Sequence, residues 1–151
     1  MTADAWVIHD KVKEYMGDGT IDLDADTFKV GLFLSTSNVA TTSINALSTA
    51  TNQHANANGY TTGGVTLSSV TWTESSGTIT FDAANMTDAW TAASGSIVTR
   101  FAVLYDDTVS SPVIDPILAH CLLDNSPADI TVTDTNTLSI TFPAGGIFQS
   151  S

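Results

Sequence analysis

The sequence predicts a mainly β fold, an antiparallel β-sandwich of the jelly-roll kind that follows one N-terminal α-helix. Short runs that alternate apolar and polar residues recur about every ten residues between turn signals, as in all-β sandwiches. The chain is 42% hydrophobic and only 13% charged, a balance that predicts folding rather than disorder. A parallel α/β sheet would need strands alternating with helices and a glycine-rich phosphate loop, and neither pattern occurs. A chain of 151 residues is expected to form a single domain over 1–151.

The N-terminal helix is predicted over residues 3–16. Asp4 near its start favours the helix dipole, and Gly17 ends it. Apolar residues in this segment are spaced three and four apart, which places them on one stripe of a helix. The stripe consists of Ala5, Trp6, either Ile8 or His9, Val12, Tyr15 and Met16.

The sandwich is predicted to occupy about residues 27–148. Each expected strand shows apolar residues at alternate positions or a short apolar run. The slip of phase at 68–69 suggests a bulge or a switch of sheet, and Pro116 implies an edge or a bulge. Residues 82–90 are ambiguous, whereas 101–105 are apolar on both faces and predict a central strand. The expected strands are 27–35, 65–72, 78–81, 96–105, 113–123, 130–132 and 138–142.

A long polar loop is predicted over about 36–59. It is rich in Ser, Thr, Asn and Ala, and only Val39, Ile44 and Leu47 offer apolar anchors. Loops of this length inside a compact domain are usually functional or mobile. We therefore expect this loop to reach a partner.

An acidic segment between the helix and the first long strand offers a candidate metal site at Asp22, Asp24 and Asp26. Calcium prefers six to eight oxygen ligands, which three closely spaced carboxylates could begin to supply. The helix-loop-helix calcium pattern is not satisfied, because Thr27 replaces its glycine and Phe33 replaces its bidentate glutamate. We expect a solvated connector whose carboxylates bind local backbone amides, with metal binding as the alternative.

The net charge of −12 and the pI of about 4.1 bear on partners. Such a chain repels phosphate, so neither nucleic acid nor an anionic membrane is an expected partner. The sequence has no run of about 20 apolar residues and no secretion signal at its N-terminus. We expect a protein made in a cytoplasm.

Candidate catalytic and cofactor residues are sparse. His9, His54 and His120 are distant in sequence and lack the spacing of metal-ligand pairs, and no Gly-x-Ser-x-Gly motif occurs. Cys121 lies among apolar residues, which predicts a buried and inert thiol. The sequence therefore predicts a protein that is not an enzyme and has no cofactor.

Three tryptophans, Trp6, Trp72 and Trp90, could stack on sugars in a lectin-like groove. Trp72 is in phase with Val70, and Trp6 lies on the apolar helical stripe. Core packing is the favoured interpretation of both.

Six short motifs, in this order, resemble a family of small tailed-bacteriophage virion proteins. The resemblance spans nearly the whole chain, and each motif is short. The chain departs from the family pattern at 39–60 and at 112–124. The motifs are GTIDLDADTFKV at 19–30, FDAANMT at 81–87, AASG at 92–95, AVLYDDT at 102–108, SP at 111–112 and GIF at 146–148.

This resemblance implies a structural virion protein similar to capsid decoration or cement proteins, which bind the outer capsid surface as dimers or trimers. The implied partners are the major capsid protein and further copies of the chain, and the implied location is the virion. The strong acidity suits an outer surface better than a lumen filled with DNA. A phage tail or adhesion component and a carbohydrate-binding β-sandwich module are the alternatives. The candidate contact residues are Trp6, Val39, Ile44, Leu47, His54 and Phe148.

Overall fold

The computed structural model describes residues 3–126 and 128–151, and most of its regular structure is β-strand. The helices and strands follow one another along the chain as β1 (Val7–Ile8), α1 (Val12–Gly17), β2 (Phe28–Phe33), a single 3₁₀ turn (Leu47–Thr49), β3 (Val65–Thr66), β4 (Thr71–Ser75), β5 (Thr78–Asp82), β6 (Met86–Thr91), β7 (Ile97–Thr99), β8 (Phe101–Asp106), β9 (Ile117–Leu122), β10 (Ile130–Val132), β11 (Thr137–Ile140) and β12 (Phe148–Ser150).

The strands form four sheets, and their pairings are antiparallel. The largest has the order β1-β9-β8-β2-β3, and the smaller ones are β12-β5-β4, β11-β6 and β10-β7. The inner face of the five-stranded sheet shares one core with apolar residues of the three smaller sheets, for example through Phe28 and Phe81, whose ring centroids lie 5.2 Å apart. The predicted mainly β, sandwich-like architecture is confirmed. The jelly-roll strand order stays a prediction.

The predicted N-terminal helix over 3–16 is wrong in its first half. Val7 and Ile8 form an edge strand that pairs with His120 and Ala119 of β9, and only Val12–Gly17 is helical. The apolar spacing of this segment also satisfies a period of two, which places Trp6 and Ile8 against the main core and leaves Val7 exposed. Pairing with β9 gives the backbone N–H and C=O groups of this segment hydrogen-bond partners within the protein. This tertiary contact overrides the helical spacing of its apolar residues.

Strand β8 is buried on both faces, as predicted for a central strand. Ala102 and Leu104 face the main core, whereas Val103 and Tyr105 face the opposite side of the sheet. A strand with two buried faces requires a second covering layer.

The segment after β2 supplies that layer. Val39 is fully buried in a second apolar cluster with Val103 and Tyr105. Tyr60 belongs to the main core cluster and ties the segment to β2, because its hydroxyl accepts hydrogen bonds from the Leu32 N–H at 3.0 Å and from Gln53 Nε2 at 2.9 Å. The prediction of a loop that extends to a partner therefore needs correction, because much of 36–64 packs on the protein's own sheet. We call this segment the outer layer.

Three local predictions are resolved. The phase slip at 68–69 is a switch of sheet, because β3 belongs to the five-stranded sheet and β4 to the three-stranded one. The ambiguous segment 82–90 contains strand β6. Pro116 lies just before β9, next to the register shift between Leu104 and Tyr105 of β8, in agreement with the predicted bulge or edge.

Gly64 and Gly77 give a matched test of the contact between the outer layer and the sheet. Both have positive φ, +76° and +85°, but a Cβ at Gly64 would overlap the Val30 carbonyl whereas one at Gly77 meets open space. We expect Gly77→Ala to cost about 1–2 kcal/mol of unfolding free energy from backbone strain alone. Gly64→Ala should cost clearly more or prevent folding, as measured by urea unfolding. Equal losses would contradict this close approach.

Candidate functional site

The acidic connector is a set of turns closed by its own carboxylates. Asp26 Oδ2 accepts a hydrogen bond from the Asp22 N–H at 2.7 Å, and Asp22 Oδ1 accepts one from the Asp24 N–H at 3.1 Å. This is the predicted use of carboxylates on local amides. Among the described residues, no three His, Cys, Asp or Glu side chains form a group that could hold a metal ion. The metal interpretation of Asp22, Asp24 and Asp26 therefore gains no support from geometry.

A buried carboxyl that the sequence interpretation missed lies beside this connector. Asp106 has no exposed surface, and its Oδ1 accepts hydrogen bonds from the Thr108 N–H at 2.8 Å and the Val109 N–H at 3.2 Å. Its Oδ2 is buried without a hydrogen-bond partner among the described residues. The sequence contained a signal for this burial. Alternate residues of a strand lie on one face, and Asp106 follows Ala102 and Leu104, which face the main core.

The surroundings of Asp106 favour its protonated form. Burial is the largest cause that raises the pKa of Asp106, and the nearby negative charge of Asp26 adds to it, which brings the pKa to about 7. The other charged groups nearby are Asp107, which is bound to Lys29 at 2.7 Å, and Asp115. When Asp106 is protonated, its hydroxyl can donate a hydrogen bond to a carboxylate oxygen of Asp26. When Asp106 is ionised, two negatively charged carboxylates lie near each other in a partly buried site.

A second polar cluster joins the outer layer to the sheet through His9 and His120. His9 Nδ1 lies 2.6 Å from the Ile44 carbonyl oxygen, which can only accept, so Nδ1 carries the proton. His9 Nε2 is then the acceptor for His120 Nδ1 at 3.1 Å. Burial lowers the pKa of both imidazoles, that of His120 to about 4, with the proximity of His9 contributing. Both rings are therefore neutral at pH 7.

The remaining predicted site residues are interior groups. His54 is buried, and its Nδ1 lies 2.8 Å from the Ala55 carbonyl oxygen. Cys121 is buried as predicted, and burial raises the pKa of its thiol to about 11, so the reactive thiolate is disfavoured at neutral pH.

The three tryptophans pack against apolar residues. Trp90 is only 3% exposed, whereas Trp6 and Trp72 are half-buried and pack against the main core. Trp6 contacts Phe142 at a ring-centroid distance of 5.9 Å and lines an open groove of about 330 Å³. Core packing is confirmed for Trp6 and Trp72. Because Trp90 is buried, it offers no stacking surface to a sugar.

Half of the predicted partner-contact residues lie inside the protein. Val39 has no exposed surface, and His54 and Phe148 are 7% and 8% exposed. These three cannot form a surface contact in this fold, so their selection as contact residues is wrong. Trp6, Ile44 and Leu47 keep partly exposed side chains, and their role in partner contact stays a prediction.

The two segments that depart from the phage family pattern meet in space. Ala46 pairs with Pro116 in an isolated β-bridge, and the Leu47 N–H donates to the Asp115 carbonyl at 2.9 Å. Ile114, in the same connection, is 61% exposed. We call the exposed surface of residues 40–50 and 110–115 the outer-layer face.

Comparison with protein-family models, curated protein sequences and solved structures found no match for this chain. In the part of the chain that the structure describes, no helix has the length and apolarity needed to span a membrane.

The Asp26–Asp106 pair predicts a pH dependence of stability. Between pH 3.8, the ordinary aspartate value, and about 7, folded Asp106 retains a proton that the unfolded chain has lost, so stability falls as pH rises. Asp106→Asn keeps the Oδ1 acceptor and supplies a permanent donor. Its Tm should match that of the wild type near pH 4 and exceed it by more than about 5 °C at pH 8, since 1 kcal/mol shifts Tm by about 2–4 °C.

Calcium provides the control for this prediction. If about 1 mM Ca²⁺ raises the Tm of the wild type at pH 8 but leaves that of Asp106→Asn unchanged, a cation occupies the pair and the proton interpretation fails. Asp106→Ala, which removes the Oδ1 acceptor as well, should lower Tm at both pH values.

The histidine pair predicts the opposite slope on the acid side. Between pH 6.5 and about 4 the unfolded chain protonates His120 while the folded chain does not, so stability falls as pH falls. His120→Phe removes this proton uptake and should reduce the loss of unfolding free energy between pH 7 and pH 4.5. His120→Gln keeps a donor for His9 and should cost less at pH 7 than His120→Phe, by about 1–3 kcal/mol. Urea unfolding at both pH values measures each effect; a loss in His120→Phe as large as in the wild type would contradict it.

Proposed function

We propose that this chain is a non-enzymatic structural protein of a tailed-bacteriophage virion, a decoration protein that binds the outer capsid surface and stabilises the shell. The proposal is carried by the position in the fold of the residues whose motifs resemble those of the phage family. They build the scaffold: Phe28, Val30, Phe81, Tyr105 and Phe148 are all buried.

Polar motif residues also hold the scaffold together. Asn85, which stands where the family pattern has an aspartate, accepts a hydrogen bond at Oδ1 from the Phe142 N–H at 2.9 Å and so ties the 81–87 motif to the segment after β11. Thr108 Oγ1 accepts one from the Thr27 N–H at 2.8 Å and so joins the connector motif to the end of β8. Motif residues that join distant parts of the chain support a scaffold in common with the phage family. Motif residues on the surface would support it less strongly.

The charge distribution supports an outer rather than a DNA-facing location. The sequence has 16 acidic and four basic residues, and three of the four basic side chains are bound to carboxylates. These three pairs join Lys11 to Glu14, Lys29 to Asp107 and Arg100 to Asp129. Little positive potential remains to hold phosphate, so contact with packaged DNA is disfavoured.

Stabilisation by a decoration protein follows from mass action. A protein that binds the assembled shell but not its separated subunits lowers the free energy of the shell relative to that of the subunits. At a free concentration of 100 times Kd, each site contributes about 2.7 kcal/mol. Many copies with modest contacts therefore suffice to stabilise a shell.

The test is addition of the purified protein to shells that lack it. We expect uptake to saturate at a fixed number of copies per shell and the disruption temperature of the shell to rise with occupancy. Serum albumin, which is also acidic, is the control for non-specific adsorption. Shells that bind no protein, or bind it without a change in disruption temperature, would refute the decoration role, and antibody labelling of tails rather than heads on native particles would favour a tail component.

A further inference from the structure

One stretch of the outer layer is attached to the rest of the protein mainly by polar contacts. We call residues 40–47 the strap. Its Thr42 carbonyl accepts a hydrogen bond from the Asp10 N–H at 2.9 Å. At its other end, the Leu47 N–H donates to the Asp115 carbonyl at 2.9 Å. Only one apolar side chain of the strap is buried, and the others are partly or fully exposed. Segments with few buried apolar contacts open at a lower free energy than the core does.

Two buried histidines complete this attachment. His9 is 1% exposed, and its Nδ1 donates to the Ile44 carbonyl of the strap at 2.6 Å. His9 Nε2 accepts a hydrogen bond from Nδ1 of His120, a residue of β9, at 3.1 Å. His120 Nε2 is therefore the ring nitrogen of the pair that can take a proton without the loss of either bond. The strap is thus joined to the sheet through two neutral rings in series.

The surroundings of the pair disfavour positive charge on both rings. Asp10 and Lys13 line an open groove beside His9, and the strap itself has no charged residue. Burial lowers the pKa of His9 more strongly than the negative charge of Asp10 raises it. Burial, together with the proximity of His9, lowers the pKa of His120 to about 4. Two positive charges in this closed site would be poorly solvated and would repel each other.

The other titratable groups around His120 are few. In β8, which the structure describes in full, Tyr105 lies on the same side of the sheet, and burial raises the pKa of its hydroxyl, so it stays neutral. Asp106 and Cys121 face the main core instead. Asp115 borders the far end of the strap, and burial raises the pKa of its carboxyl. A test of the histidine pair therefore has to separate its effect from that of Asp115.

We propose that the His9–His120 pair is an acid-sensitive switch whose double protonation releases the strap while the rest of the fold persists. The first proton goes to His120 Nε2 and leaves the bond between the rings in place. The second proton has to go to His9 Nε2, which can then no longer accept a hydrogen bond from His120. Both rings become charged readily only when water reaches them, so proton uptake favours the open strap.

The direction of the pH effect follows from linkage. In the closed form burial lowers the pKa of both rings, whereas in the open form they return to the ordinary value of about 6.5. The open form therefore binds more protons as the pH falls, and the equilibrium shifts toward it. Two linked protons allow at most about a 1000-fold rise in the opening constant over about 1.5 pH units. Partial protonation near pH 6 reduces the expected rise to about 100-fold or more.

Opening stays local because the neighbouring parts of the outer layer are held by apolar burial. Val39, just before the strap, is 0% exposed, and Tyr60, beyond it, is 2% exposed. Release of the strap removes Ile44 and Leu47 from the second apolar cluster and uncovers part of the outer side of the sheet. Acid thus exposes an apolar surface that is covered at neutral pH.

The experiment is hydrogen–deuterium exchange of the full chain at pH 6.0 and pH 4.5, with rates corrected for the intrinsic effect of pH. In this interval Asp106, with a pKa of about 7, keeps its proton. The reporters are the Asp10 and Leu47 amides, whose hydrogen bonds attach the strap. Their opening constant should rise by about 100-fold or more between the two pH values. The amides of β5, which lies between β12 and β4, should stay at least about 100-fold more protected than the strap at pH 4.5.

Three variants assign the effect to the pair. The double variant His9→Gln/His120→Gln removes both protonation sites, and glutamine amides keep the donors, so its opening constant should rise by less than about threefold. His120→Gln alone leaves one site and should reduce the rise to about 10–20-fold. His54→Gln changes the third histidine, which lies in the outer layer but outside the strap, and should leave the rise intact.

Circular dichroism at both pH values establishes that each variant is folded. A wild-type strap that stays closed at pH 4.5 would overturn the inference, and so would equal protection of the strap and β5, which indicates global unfolding. A double variant that opens as much as the wild type would assign the effect to Asp115 and overturn it as well. If the double variant does not fold, the rise in His120→Gln decides, because a rise equal to that of the wild type overturns the inference. None of these outcomes depends on shell binding, which tests the proposed function.

Discussion

The fold depends on burying both faces of the central strand β8. Its inward residues, Ala102 and Leu104, join the main core, while Val103 and Tyr105 would lie in water without the outer layer. Covering that second face removes apolar surface from solvent at a gain of roughly 25 cal/mol per Å². It also fixes the path of a long segment with no strand of its own between β2 and β3. The outer layer is therefore a structural element of the sandwich, held by Val39 beneath it, and its outward surface is free to serve another purpose.

Burying β8 on both sides also places polar groups in dry surroundings, with opposite consequences for pH. Asp106 faces the main core at the end of β8 and retains a proton there, whereas His120 lies on the opposite side of the sheet and loses one. The carboxyl favours the folded state at low pH, and the imidazole favours it at high pH. Each group is joined to a segment that packs on the sheet, the acidic connector in one case and the outer layer in the other. The two attachments thus respond to pH in opposite directions.

Sequence periodicity predicted several of the strands, but it did not predict which distant residues those strands contact. The alternation in 27–35 predicted β2, and the apolar run at 101–105 predicted the central strand β8. The single strand predicted over 96–105 is wrong, because its first half is β7, which belongs to a different sheet. The N-terminal segment satisfied both a helical and an extended period, and a partner more than 100 residues away, β9, decided between them. The same limit applies to the candidate site. The connector turns followed from local aspartates, but the contact of Asp26 with Asp106 and that of His9 with His120 join residues far apart in the sequence.

The outer layer has to lie against an apolar sheet and also present a surface to solvent, and these requirements explain its composition. Charged side chains are costly to bury beneath it, so Ser, Thr, Asn and Ala satisfy its turns and backbone instead. This choice leaves its outward surface uncharged in a protein whose other acidic groups repel further copies of itself. Where acidic proteins are held close together, a neutral face allows contact at the lowest electrostatic cost, which agrees with the proposed position on a crowded shell surface.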